Sequence, residues 1–253
     1  DNADDLQKWN MPAYTLTPGE ILLVLASGNN VGSGSGVWQS FVLAENTWKY
    51  LPGTTEPSLD WNSLDFNDSA WQEASGGFGY ADEDDGTELE GFPSVYIRRT
   101  FQVSDASAIS EMILHADYDD AFVAYLNGTE IARSSNIEGF PPAYDSYATI
   151  DHEANLYEGG IPEMYTLSPA EINVLVQNGD NVLAIQTHNV SAESSDMSSN
   201  FFLSGLLDSF NPSYLPLPTW YQPFVSSSFF ETNFKLSPGE TVFATSVFGD
   251  ITD

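Results

Sequence analysis

Asp117-Tyr118-Asp119-Asp120 sets three carboxylates in one tetrapeptide, directly before the apolar run Ala121–Leu126 and the turn pair Asn127-Gly128. Carboxylates this close repel one another, so a bound cation or strong solvation must offset the cost. Calcium suits such a stretch, because it takes about six to eight oxygen ligands in flexible geometry from Asp, Asn and backbone carbonyls. A second acidic loop, Asp82-Glu83-Asp84-Asp85, follows Gly79-Tyr80. The expected ligands are therefore Asp82, Asp84, Asp117, Asp119 and Asp120, with calcium either structural or at a ligand site. A solvated acidic rim is the competing reading, since charge runs usually face water.

The aromatic residues, among them 6 Trp and 12 Tyr, point to a second chemistry. Flat rings stack on the apolar face of a sugar. Trp71 and Phe66 lie in a regular phrase and read as core, because buried aromatics dominate sandwich packing. Tyr80, Tyr144 and Tyr147 lie in stretches rich in Gly, Pro and Asp, and loops carry function. With Asp120 they form the expected ligand-binding set; anchoring of the loops is the alternative role. Catalysis finds little support. His115, His152 and His188 show no metal spacing, and two of them sit inside strand-like runs. No Gly-x-Ser-x-Gly elbow occurs, and the glycines of Gly32–Gly36 read as a linker. Among 37 acidic residues a pair spaced for glycoside hydrolysis arises by chance, so none is assigned and the chain is not read as an enzyme. Arg98 and Arg99 occupy adjacent strand positions and point to opposite faces, so one of them needs a buried carboxylate partner.

Those 37 acidic residues face only 6 basic ones, a net charge of -31. Such a field repels nucleic acid and anionic membrane surfaces, and no apolar run reaches the roughly 18 residues of a membrane span. Cysteine is absent, which excludes disulfides and thiolate metal sites. Salt and calcium screen a charge of this size, so an extracellular or cell-surface location is expected.

Strand-like runs that would position these residues recur at Glu20–Ala26, Val95–Val103, Glu111–Ala116, Ala121–Leu126, Asn181–Val190, Phe201–Leu207 and Thr241–Phe248. Turn clusters separate them at sandwich spacing. Ser168-Pro169-Ala170-Glu171 combines an N-cap, a proline at the first helical position and a capping-box glutamate, so one short helix is predicted there. Two joints, Gly28–Gly36 and the Pro-rich Asn211–Pro223, bracket a central piece and leave flanks too short for a core of their own.

The flanks share a phrase, Leu16-Thr17-Pro18-Gly19-Glu20 and Leu236-Ser237-Pro238-Gly239-Glu240, each a turn feeding an apolar strand. With these phrases the flanks resemble the lamin-tail family, immunoglobulin-like modules in which the two strand pairs lie close together. The central piece resembles galactose-binding-like jelly-roll modules of secreted bacterial proteins, through Asp65-Phe66-Asn67-Asp68-Ser69-Ala70-Trp71, Gly77-Phe78-Gly79-Tyr80, Tyr96–Phe101, Asp117–Arg133 and Gly179–Ile185. The Asp-Asp ahead of a strand ending in Asn-Gly is also similar to the calcium loop of PA14-type lectins. These resemblances imply an all-β fold: a jelly-roll β-sandwich (37–215) inserted in an incomplete lamin-tail-like domain (1–30 and 224–253). The expected function is non-catalytic binding of a polysaccharide or cell-surface glycan, or adhesion, within a larger protein. The alternative is a structural subunit or spacer of an extracellular filament, self-associating by strand exchange through an open sheet edge.

Overall fold

The computed structural model describes residues 23–26, 36–81, 85–89, 91–221 and 229–232. The Pro18 and Pro238 phrases, Asp82, Asp84 and the greater part of the two flanks lie outside them. The chain divides into two compact units, Trp38–Gln222 and a second made of Asp1–Val37 with Pro223–Asp253. In the second unit, β1 (Leu23–Ala26) pairs in parallel with a strand at Phe229–Thr232, Leu23 opposite Phe229.

The larger unit is an all-β sandwich of two six-stranded sheets. In chain order its strands are β2 (Val37–Val42), β3 (Thr47–Pro52), β4 (Gln72–Ser75), β5 (Phe78–Tyr80), β6 (Thr87–Glu88), β7 (Ser94–Val103), β8 (Ile109–Asp119), β9 (Ala121–Leu126), β10 (Thr129–Arg133), β11 (Glu163–Leu167), β12 (Gly179–His188) and β13 (Met197–Leu207); the Phe229–Thr232 strand is β14. One sheet runs β10-β9-β12-β7-β3-β4, the other β11-β8-β13-β5-β6 with β2 on β13. The predicted helix is present as α1 (Pro169–Leu175), and its Ser168–Glu171 capping box is closed.

Alternation along the strands sorts the residues into layers. Met112, Leu114, Ala116 and Tyr118 of β8 enter the core between the sheets, together with Leu183 and Ile185 of β12 and Phe201 and Leu203 of β13. The outer faces are covered as well. Trp61, Trp71, Tyr96, Tyr125, Ile137 and Ala184 form a second apolar cluster outside the first sheet, built largely from loop residues. On the outer face of the other sheet, Trp220 and Leu215 pack with Leu43 and Phe202. This double burial explains why all six residues of β9 are buried.

Arg98 and Arg99 separate as the strand geometry requires. Arg98 is buried, with Nε 3.0 Å from Asp68 Oδ2 and Nη1 donating to the carbonyls of Trp61 and Ser63. Arg99 donates from the other face to the Thr47 carbonyl at 2.6 Å. Asn127 and Gly128 both take positive φ, 51° and 87°, in the tight turn between β9 and β10.

The Pro-rich return is a packed strap. Ser40 and Leu215 exchange backbone hydrogen bonds at 2.9 and 3.0 Å, and the Gln39 side chain does the same with the backbone of Asn211 at 2.8 and 2.6 Å. Prolines make the segment read as a joint because they bar a central strand position. Its aromatic residues nevertheless close the outer face.

Candidate functional site

At the end of the sandwich the chain passes from β8 to β9 through a single residue, Asp120. This corner gathers three loops. Asp120 Oδ1 accepts from the His152 amide at 3.0 Å, Oδ2 from the Val190 amide at 2.6 Å, and its carbonyl from Asn136 Nδ2 at 3.1 Å. Burial pushes its carboxyl above the usual range, against the pull of those two amides. Asp120 therefore anchors backbone. Both its carboxylate oxygens accept backbone amides, where a ligand contact was expected.

Beside the corner lies an open cleft of about 340 Å3. Its floor is a hydrogen-bonded group contributed by β8, β11 and the loop between β10 and β11. The His152 ring stacks on Tyr118 at 4.1 Å and 6°. Its Nδ1 lies 3.0 Å from the Tyr118 carbonyl and its Nε2 lies 3.1 Å from Glu163 Oε1. Both ring nitrogens thus face oxygen atoms of the protein. Glu163 Oε2 accepts from Tyr165 Oη at 2.7 Å and from Tyr118 Oη at 3.2 Å. Partial burial acts to raise the Glu163 carboxyl, but the hydrogen bonds from Tyr165 and His152 and the imidazole's charge outweigh it, holding the group below its ordinary value. Arg133, Asn136, Ile150 and Asp151 complete the walls.

Of the residues singled out by sequence, none of Tyr80, Asp120, Tyr144 and Tyr147 lines this cleft. Tyr80 Oη donates to the Ser194 carbonyl at 2.9 Å and accepts from Asn189. The Tyr144 ring packs on the outer aromatic cluster. Its amide donates to Glu56 and its carbonyl accepts from Ser94. Tyr147 stands partly exposed. Tyr80 and Tyr144 are loop anchors.

The three acids of the tetrapeptide have different loop partners, although Asp119 and Asp120 share a side-chain hydrogen bond. Tyr118 faces the core, while Asp117 and Asp119 face outward. Asp117 accepts from the amides of Asn155 and Leu156 at 2.7 and 3.2 Å. It is tied to backbone, like Asp120, a correction to its expected role as ligand. Asp119 does meet other acids: its carboxylate, with those of Glu153 and Asp196, places oxygens within 4.8 Å of one another. Of the expected metal ligands, Asp119 is the one that stands in such a group among the described residues, with two partners not foreseen. Asp82 and Asp84 lie outside the described residues.

Sequence reading missed His152, Glu163 and Tyr165 as a group. One signal was available: Glu163 and Tyr165 stand two apart in a strand and so share a face. Their meeting with His152 and Tyr118 depends on the β11–β8 register, Glu163 opposite Ala116, which spans distant sequence.

No protein-family model matches the chain, and no curated protein matches it. Solved structures do. A Bacteroides uniformis β-glucuronidase bound to cyclophellitol-6-carboxylate aziridine is 13% identical, over 67% of this chain and 18% of that one, with a TM-score of 0.42. A β-glucuronidase of glycoside hydrolase family 2 is 16% identical over 70% of this chain and 18% of its own, with a TM-score of 0.42. A Bifidobacterium dentium β-glucuronidase complexed with coumarin-3-O-glucuronide is 14% identical over 66% of this chain and 22% of its own, at 0.39. The chain thus corresponds to about a fifth of the length of these enzymes.

Proposed function

We propose that the Trp38–Gln222 unit is a non-catalytic carbohydrate-binding or adhesion module of a larger extracellular or cell-surface protein, and that the cleft at the β8–β9 corner is its glycan site. The observation that carries this reading is the floor of the cleft. A flat imidazole, backed at 4.1 Å by Tyr118, lies beside a carboxylate held by three donors in an open depression. A planar apolar face next to fixed acceptors is what a pyranose ring needs. A glycosidase would need a carboxyl of raised pKa facing its substrate. Glu163 is shifted the other way, and Asp120, whose carboxyl is raised, is buried and occupied by backbone amides. A net charge of -31 suits salt-rich surroundings and supports the extracellular assignment.

The finer architecture belongs to the same proposal: the sandwich is a galactose-binding-like insert, and the flanks are two parts of a lamin-tail-like host. We place calcium at Asp119, Glu153 and Asp196, whose converging carboxylates supply the hard oxygen donors it prefers. There it would brace the β8 end against the 150–153 and 190–196 loops.

The test is binding of the whole chain to neutral polysaccharides (galactan, xylan and mixed-linkage β-glucan) by affinity electrophoresis and calorimetry. Binding in the micromolar to millimolar range is expected for a shallow site. His152→Ala and Glu163→Ala should each weaken it tenfold or more. Retention of full affinity in both variants would remove the cleft as the site.

A further inference from the structure

The 134–150 loop carries an aromatic ring that the floor of the cleft does not use. Phe140 is 85% exposed, although burial of so large an apolar side chain is favourable. The ring is nevertheless fixed. The Arg133 guanidinium carbon lies 4.1 Å from its centroid. Arg133 is itself clamped: Nε and Nη2 donate to the two Glu130 carboxylate oxygens at 2.6 and 2.7 Å, and Nη1 to the Gly139 carbonyl at 3.0 Å. A bidentate pair of this kind sets the guanidinium plane, and the plane sets the ring. The loop beneath is stitched to the sandwich as well. His188 Nδ1 meets the Ser146 carbonyl at 2.8 Å, Gln186 Nε2 the Pro142 carbonyl at 3.2 Å, and Asn136 Nδ2 the Ile150 carbonyl at 2.7 Å.

Phe140 therefore presents one free face in a constrained position. Arg133, which holds it, also lines the cleft, and so does Ile150, itself 69% exposed. Phe140 thus adjoins the cleft through Arg133, and Ile150 adds an exposed apolar side chain to the lining. Charge limits what can lie there. The cation of Arg133 is matched by Glu130, the His152 ring faces the Glu163 carboxylate, and Asp151 adds a further negative group. The walls thus offer an anionic sugar no unmatched positive charge, within a chain of net charge -31.

We propose that Phe140, held on Arg133, is a second subsite that stacks on the sugar unit next to the one seated against His152 and Glu163, so that the cleft takes a segment of a neutral polysaccharide chain and neither a single sugar nor a polyuronate. This rests on the glycan reading of the cleft and extends it to ligand length and charge. Preorganisation is the reason for the clamp: a ring already fixed loses little side-chain freedom on binding.

Calorimetry with the whole chain tests this, using β-1,4-linked galacto-, gluco- and xylo-oligosaccharides of one to six units, with polygalacturonate as the acidic probe. Affinity should rise at least tenfold between one unit and the longer oligomers, and polygalacturonate should bind more weakly than the best neutral chain. Phe140→Ala should remove the gain with length while leaving single-unit binding and the melting temperature unchanged. Phe140→Trp should keep the gain, and Glu163→Gln should weaken every length alike. Equal affinity for short and long ligands, or an unaffected Phe140→Ala, overturns the second subsite and leaves the glycan cleft standing. Tighter binding of polygalacturonate overturns the charge assignment, and absence of binding to any sugar overturns both readings. A protein partner that binds through Phe140 while sugars do not would likewise overturn the subsite.

Discussion

Asp120 shows how one side chain can tie two loops to a sheet corner. Both its oxygens satisfy buried amides, those of His152 and Val190. Removing the carboxylate leaves two orphaned donors, at about 1 to 3 kcal/mol each. Asp120→Ala is therefore expected to cost roughly 2 to 5 kcal/mol in urea unfolding and to weaken sugar binding only indirectly, as His152 loses its position. A stable Asp120→Ala protein that has lost sugar binding would instead make the carboxylate a direct contact. At this scale the sequence was legible in composition and misleading in grouping. Three aspartates in four residues look like one cation site, but Asp117 and Asp120 accept backbone amides while Asp119 meets Glu153 and Asp196. The residues that do converge, His152, Glu163 and Tyr165, are brought together only by strand pairing, which no local pattern records. Arg98 is the counter-example. Its need for a buried carboxylate followed from its position next to Arg99, and Asp68 supplies it at 3.0 Å.

Elements whose signals are local were legible in full. The Ser168–Glu171 box starts α1, and Asn127-Gly128 closes the β9–β10 hairpin. Six of the seven strand-like runs correspond to β1, β7, β8, β9, β12 and β13, and the seventh, Thr241–Phe248, lies outside the described residues. The strap was not legible, because its prolines mark a connection and its packing depends on a partner far away. Trp220 and Tyr221 lie edge-on to His115 at 5.1 and 4.2 Å. His115 is fully buried, and neither of its ring nitrogens has a hydrogen-bond partner among the described residues. Burial pushes its pKa down to about 4, and that of His188, also buried, to about 4. The unfolded chain protonates these rings near pH 6.5. Between about pH 6.5 and 4 it therefore binds more protons than the folded chain, so their contribution to stability is intact above that window and falls as pH drops through it. Each ring accounts for about 3 kcal/mol across the window. Wild type should lose about 2 to 3 kcal/mol more than His115→Phe between pH 7.5 and 4.5 in urea unfolding. Equal losses would mean that water reaches the imidazole beneath the strap.

For the whole molecule, a net charge of -31 is the dominant long-range term. Like charges on one surface destabilise the compact state, and screening relieves them over a Debye length of about 30 Å at 0.01 M salt and about 10 Å at 0.1 M. The melting temperature should rise steadily as sodium chloride increases from about 0.01 M to about 0.5 M. If calcium binds the Asp119, Glu153 and Asp196 group, it should add a further rise at matched ionic strength, reversed by EGTA and absent in Asp119→Asn. An identical response to calcium and to magnesium at equal ionic strength would reduce the effect to screening.

The Ser40–Leu215 clasp has a mechanical consequence. The incoming and outgoing segments of the sandwich run side by side and antiparallel, bonded at 2.9 and 3.0 Å. Tension applied at these two ends acts across that pair, so its hydrogen bonds load one after another, as in opening a zipper, and not together in shear. The strap peels first, and with it the cover over His115. The hydrogen-bonded strands behind it lie outside the direct line of force. Pulling on the two ends of the sandwich itself would therefore release the strap first and leave the β8–β9 corner folded.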